Sequence, residues 1–441
     1  MYRGRDRDTG RLFEELFPFG GRLDENNRWL RISGLIPWDE LESLYCSYFS
    51  ERGRPSLDGR LVIGLLLLKH MSGLSDREVV EELRENPYWQ VFCGYEHFTT
   101  TYILEASSLS KLRKRLGKKY FRQLEEKTFR LLIERKIIKA KGMLVDATVF
   151  PENIKYPNDI ELLNDARKWL VKQLKAFGKI IGHQYRTYCR KAKNTYLKFS
   201  KKRKKTKKDI RKSKKQMLQY VRRNIKQLKD AFEKAIQMGC KIEKKTMGKF
   251  KVAKKIYGQQ FEMYKKRTHR VEDRIVSFFS PYVRPIKRGK PGKPVEFGSK
   301  AALTHVDGFL RLNTINHDNF SEASTEIVKQ QIETYESDFG KKSPSFTGDN
   351  LYGSSKNRAL LEEKGIRAAF RPLGRKKKNE SYKTRWYKKK QKERNRIEGD
   401  FGTGKQHYGL DCVKYKGPDG SEIWVRTGIV AMNLKTALKR I

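Results

Sequence analysis

The sequence predicts an α/β protein: a helical N-terminal region, then a mixed layer of strands and helices that a long basic helical insert interrupts. Three observations predict it. Apolar residues at helical spacing run through residues 1–135, including Leu41, Leu44 and the stretch Leu61–Leu68. Two β-rich stretches, Gly142–Phe150 and Pro294–Thr314, stand far apart in the chain. Between them lies most of the excess positive charge. Val171–Arg270 holds 35 Lys+Arg against the five acids Asp209, Asp230, Glu233, Glu243 and Glu262, a net +30 of the chain's +48.

That charge comes from 99 Lys+Arg against 51 Asp+Glu in 441 residues. It disfavours an enzyme of small metabolites and points to a polyanion, with nucleic acid first. At 37% hydrophobic the chain has material for cores and is not a disordered basic tail. Its length suggests roughly three domains. Leu61–Leu68 is far shorter than the ~20 residues of a membrane span, and Met1–Gly10 carries no apolar leader segment. No membrane partner is expected, and cytoplasmic placement is. Cys46, Cys93, Cys189, Cys240 and Cys412 are scattered, without zinc-ligand spacing.

Within 1–135, Ser75-Asp76-Arg77-Glu78 is a capping box ahead of Val79, Val80 and Leu83. With the Gly73 break it resembles a helix-turn-helix, although any small helical domain contains such turns. DNA reading and plain packing both stay open. The first strand is expected within 136–154 and the insert over 155–275. There, Leu163, Ala166, Leu170, Leu174, Phe177 and Ile181 form one helical stripe; Leu218, Val221, Ile225, Leu228 and Phe232 form another. A hairpin of long helices with a basic tip or face follows. The tip is Lys201, Lys202, Arg203, Lys204, Lys205, Lys207 and Lys208, within a run of 11 basic residues in 15. Such a run repels itself unless it lies along phosphates. Residues 276–441 complete the layer. Asp307-Gly308 marks a hairpin, and the order strand, strand, helix, strand, helix, strand, helix ends at an acid-bearing helix near Arg394–Lys405.

Three acids stand out. Asp146 sits in an apolar strand, where a lone carboxylate is costly. Asp349 ends a strand and precedes Asn350. Glu398 lies four residues after Arg394 and seven before Lys405. At ~100° per residue these three share one helix face, whereas Asp400 points roughly the opposite way. Gathered carboxylates repel. Two Mg²⁺ ions, or Mn²⁺ in their place, would relieve this and stabilise both oxygens of an in-line phosphoryl displacement. Arg394 and Lys405 would hold the DNA phosphate. Singly, each acid also reads as a cap, a turn or a surface ion pair.

Together these residues resemble insertion-sequence DDE transposases of the IS-four and IS-five superfamily, over nearly the whole chain. The resemblance rests on Gly53-Arg54-Pro55-Ser56, Leu61–His70, Leu74–Gly94, Leu144-Val145-Asp146-Ala147-Thr148, Thr347-Gly348-Asp349-Asn350-Leu351-Tyr352-Gly353, and R-x3-E-x6-K at Arg394, Glu398 and Lys405. Tyr408-Gly409-Leu410 and Met432-Asn433-Leu434 also match the family's C-terminal end. It implies a ribonuclease-H-like catalytic core with Asp146, Asp349 and Glu398 as catalytic and metal-binding acids. It further implies metal-dependent cutting of transposon ends and joining of the 3′-hydroxyl to target DNA. The implied partners are terminal inverted repeats, target DNA and a second copy of the chain, on the nucleoid. The family signature often has Tyr three positions before the Arg; here Gln391 stands there. Trp386 and Tyr387 are candidates for base stacking, with packing as the alternative. The cleavage route, through a DNA hairpin or otherwise, stays open. The competing reading is a transposase-derived DNA-binding protein without catalysis; a third is RNA binding by the insert.

Overall fold

The structure is a computed structural model and describes residues 23–441 except 51, 54, 102–103, 288–294, 372 and 375–384. The Met1–Gly10 stretch, Arg54, Pro294, Pro372 and the basic Arg375-Lys376 therefore lie outside the described residues. The chain divides into two compact units, 1–152 with 299–441, and 153–298.

The first unit opens with six helices: α1 (Arg28–Ser33), α2 (Trp38–Cys46), α3 (Gly59–Ser72), α4 (Asp76–Glu85), α5 (Pro87–Phe92) and α6 (Ala106–Glu134). Helix α3 starts where Asp58 accepts from the Leu61 amide and stops at Gly73, whose φ of 77° is left-handed. The expected capping box is formed at α4, with Ser75 and Glu78 bonding reciprocally. Helix α3 is buried on all sides from Leu61 to Met71, so it is a core element.

The sheet follows. Strand β1 (Met143–Pro151) pairs in parallel with β5 (Ser345–Thr347), which pairs in parallel with β6 (Arg367–Ala368). On the other side β1 neighbours β3 (Val295–Val306), which forms an antiparallel hairpin with β4 (Phe309–Asn316). The hairpin turns at Asp307 and Gly308, with φ of 51° and 91°. This double positive-φ turn is what an Asp-Gly pair provides. Helices α11 (Thr325–Phe339), α12 (Ser355–Glu363) and α13 (Arg385–His407) come in the expected order. The sequence reading did not foresee α14 (Gly420–Leu438), which is buried on nearly every face.

The N-terminal helices do not form a core of their own. One cluster joins Leu65 and Phe121 to Leu303 and Leu312 of the hairpin and to Val425 and Ile429 of α14. Buried Glu125 of α6 holds the joint: it accepts from the Leu312 amide at 2.8 Å and pairs with Arg426 of α14. A second cluster sets Val145 and Phe346 against Val328, Ile332 and Leu361 of α11 and α12. Side chains alternate along a strand, so Asp146 faces away from that cluster.

The second unit is α7 (Asp159–Ile180), α8 (Cys189–Lys201), α9 (Lys207–Gln237), α10 (Lys244–Lys265) and β2 (Arg284–Lys287), the last antiparallel to Val295–Gly298. Four helices thus replace the expected two-helix hairpin, and the unit continues to 298 rather than 275. Turns with positive φ at Gly182 and Gly239 cut the long periodic stretch. Both sequence stripes pack in one cluster, α7 against α9, together with Phe250 and Ile256 of α10. Asp159 ties the bundle, taking Lys214 at 3.0 Å, Gln260 at 3.0 Å and Arg274 at 2.9 Å.

Candidate active site

The acids are presented by three elements of the first unit. Asp146 stands in the middle of β1. One oxygen accepts from the Ala147 amide at 2.8 Å; the other meets Arg394 at 3.2 Å. Asp349 follows β5 and caps the short 3₁₀ turn Asn350–Gly353 by accepting from the Leu351 amide at 2.8 Å. Gly348 permits this close approach, since a Cβ there would lie 2.9 Å from both Val145 and Tyr352. Glu398 lies on α13, 55% exposed, and pairs with Arg394 at 3.0 Å. Helix α13 runs unbroken through Gly399, Gly402 and Gly404, so Arg394 and Glu398 do share a face.

Arg394 is therefore a bridge from the strand acid to the helix acid. Asp146 is only 18% exposed. Burial pushes its carboxyl up to about 6; the Ala147 amide and Arg394 pull it back, and the negative charges of Asp349 and Glu398 push it further. All three acids thus share one electrostatic neighbourhood. Among the described residues no three acids, histidines or cysteines are drawn together tightly enough to form a metal-binding group. The donor chemistry, two carboxylates on one guanidinium with a third close enough to raise Asp146, suits a hard divalent ion.

Lys405 reaches back to the Thr148 hydroxyl at 3.1 Å, two residues beyond Asp146 on the same strand face. Asp400 turns away and pairs with buried His305 at 3.1 Å. Gln391 donates to the Ala369 carbonyl at 2.6 Å, pinning α13 beside β6. Trp386 carries the Arg367 guanidinium 3.8 Å over its ring, so one face is already used by a cation. Tyr387 sits half-buried beside it. In the other unit, Lys201, Lys202, Arg203, Lys204, Lys205, Lys207 and Lys208 are all exposed, at the turn between α8 and α9. Lys202 is engaged by Asp209 at 2.6 Å.

Two neighbours of the acids escaped the sequence reading. Thr148 is one. Tyr352 is the other: fully buried, its hydroxyl without a hydrogen-bond partner among the described residues, and held well above its ordinary value by burial and by the nearby Asp146, Glu322 and Asp349. Its place inside Asp349-Asn350-Leu351-Tyr352 was the available signal.

A family model described as "Transposase domain (DUF772)" matches residues 17–115, and one described as "Transposase DDE domain" matches 346–435. The chain thus has one region similar to a transposase domain and another similar to a DDE transposase domain. An uncharacterised Rhizobium meliloti protein, ORF8 of the nfe locus, is 34% identical over 166 residues, which cover 37% of this chain and 80% of that protein. The chain belongs to the same family as that protein. No solved structure matches it. Among the described residues no helix is long and apolar enough to cross a membrane.

Proposed function

We propose that the protein is a DDE transposase of the IS-four and IS-five superfamily, cutting transposon ends and joining the 3′-hydroxyl to target DNA. The observation that carries this reading is the Arg394 bridge between Asp146 and Glu398, with Asp349 close enough to raise the Asp146 carboxyl. The strand pairing supports a ribonuclease-H-like core: a β3–β4 hairpin beside β1, then β5 and β6 in parallel, with the first acid on the central strand.

Asp146, Asp349 and Glu398 would hold the divalent ions, two Mg²⁺ or Mn²⁺. Such ions supply charge for the attacking and leaving oxygens of phosphoryl transfer. The chain's own residues do the rest. Arg394 is a fork that fits carboxylate or phosphate, so an arriving DNA phosphate competes with the acids for it. Lys405, held at Thr148, adds a second positive charge on the same side of β1. The exposed basic turn between α8 and α9 contributes backbone contacts without base reading. The protein acts in the cytoplasm on nucleoid DNA, as a homodimer that pairs two ends.

The test is strand cleavage of labelled transposon-end DNA with Mg²⁺, comparing the natural chain with Asp146→Ala, Asp349→Ala and Glu398→Ala. Each substitution should lower cleavage by a hundredfold or more, on the order of ~3 kcal/mol or above. Equal cleavage by all four would leave only a DNA-binding protein.

A further inference from the structure

We propose that the insert contains a phosphate-binding site whose floor is Arg167. Arg167 is 4% exposed, and among the described residues its guanidinium bonds to a neutral acceptor alone, the Asn164 side-chain oxygen, at 3.1 and 2.8 Å. Among the described residues no carboxylate pairs with it. Every other nearly buried arginine of the described chain, Arg113, Arg311 and Arg426, has an acid partner. A buried cation without an anion is costly, so such a residue marks a place where an anion belongs.

A cavity of about 330 Å³ opens over it, between α7 and α8. Arg190, Lys193 and Lys168 line it with Arg167, and no acidic residue does. Lys168 lies 3.7 Å from Asp165 and 5.9 Å from the Tyr196 ring centre. Asn164 also lines the cavity; it is fully buried, and its side-chain NH₂ has no partner among the described residues. A fork with one side spent on Asn164, an idle amide donor beside it and cations at the rim make a donor set for tetrahedral oxyanions. Tyr196 and Val171 supply apolar walls, which keep water from competing. The site belongs wholly to the insert and is separate from the exposed 201–208 turn.

The phosphate has two sources with the same chemistry: a backbone phosphate of DNA, or a free phosphomonoester. Only the first rests on the transposase reading. The experiment is thermal unfolding of the full chain in inorganic phosphate, titrated against chloride at constant ionic strength. The natural chain should gain stability in a saturable way. Arg167→Met, which removes the charge and keeps much of the bulk, should weaken phosphate by roughly tenfold or more. Should that variant fold poorly, Arg190→Ala with Lys193→Ala, both at exposed positions, decides by the same measurement. An unchanged phosphate affinity in these variants overturns the site. A salt titration of duplex binding then separates the sources. A salt slope lower by about one in Arg167→Met assigns the site to a DNA phosphate; an unchanged slope with lost phosphate affinity assigns it to a free ligand. Neither readout requires strand cleavage, so inactivity would leave this result standing.

Discussion

Arg394 is the residue on which the candidate site turns. It neutralises a strand carboxylate and a helix carboxylate at once. Arg394→Ala should therefore move the Asp146 carboxyl above about 6, because burial and two negative neighbours remain while the cation is lost. Carboxyl NMR titration in chelator reads this; an unmoved or lower value would show that the ion pair does not form in solution. His70 gives a second residue-scale prediction, this time on stability. Burial lowers its ring to about 4, and because Tyr408 offers a carbonyl at 3.0 Å, the Nδ1–H donates and the ring stays neutral. The unfolded ring, with an ordinary pKa of about 6.5, takes its proton first as pH falls. The stabilisation is thus present above about pH 6.5 and is lost progressively toward pH 4. Denaturant unfolding at several pH values should show His70→Gln losing less stability over that window than the natural chain.

At the scale of elements, the capping box of α4 is the easiest to probe. Ser75→Ala removes the acceptor of the Glu78 amide and should cost about 1 kcal/mol in denaturant unfolding. That cap was legible in the sequence because its chemistry is local. So were the Asp307-Gly308 turn, the β1 strand around Asp146 and the helix bearing Arg394 and Glu398, whose spacing sets their shared face. Helix α14 was not legible. A helix buried all round has no polar face, so periodicity has nothing to mark. In the insert, α8 buries only Ala192 and Phe199, too few for a stripe. Thr148 and Tyr352 were given no role for another reason: although each is a few residues from an acid, the contacts that give it one, Thr148 with Lys405 and Tyr352 with Asp146, join residues far apart in the chain.

At the scale of the molecule, the insert has its own hydrophobic cluster, built only from residues 160–278. The sheet carries two clusters that use none of them. Replacing 154–297 by a short flexible link between the neighbouring strands β1 and β3 should leave the first unit folded, as circular dichroism would show. DNA affinity should fall, and its salt dependence should flatten by about 0.9 in log–log slope for each phosphate contact removed. An unchanged slope would mean the insert's charge does not meet the backbone. The joint of α3, α6 and α14 carries a different consequence, one of timing. On the ribosome the N-terminal helices emerge first, yet the helix that closes their core is 420–438, made after everything it packs against. The insert, whose contacts are comparatively local, completes while that wait continues. During synthesis the Leu61–Leu68 surface therefore waits for residues 420–438, which are made after all three acids.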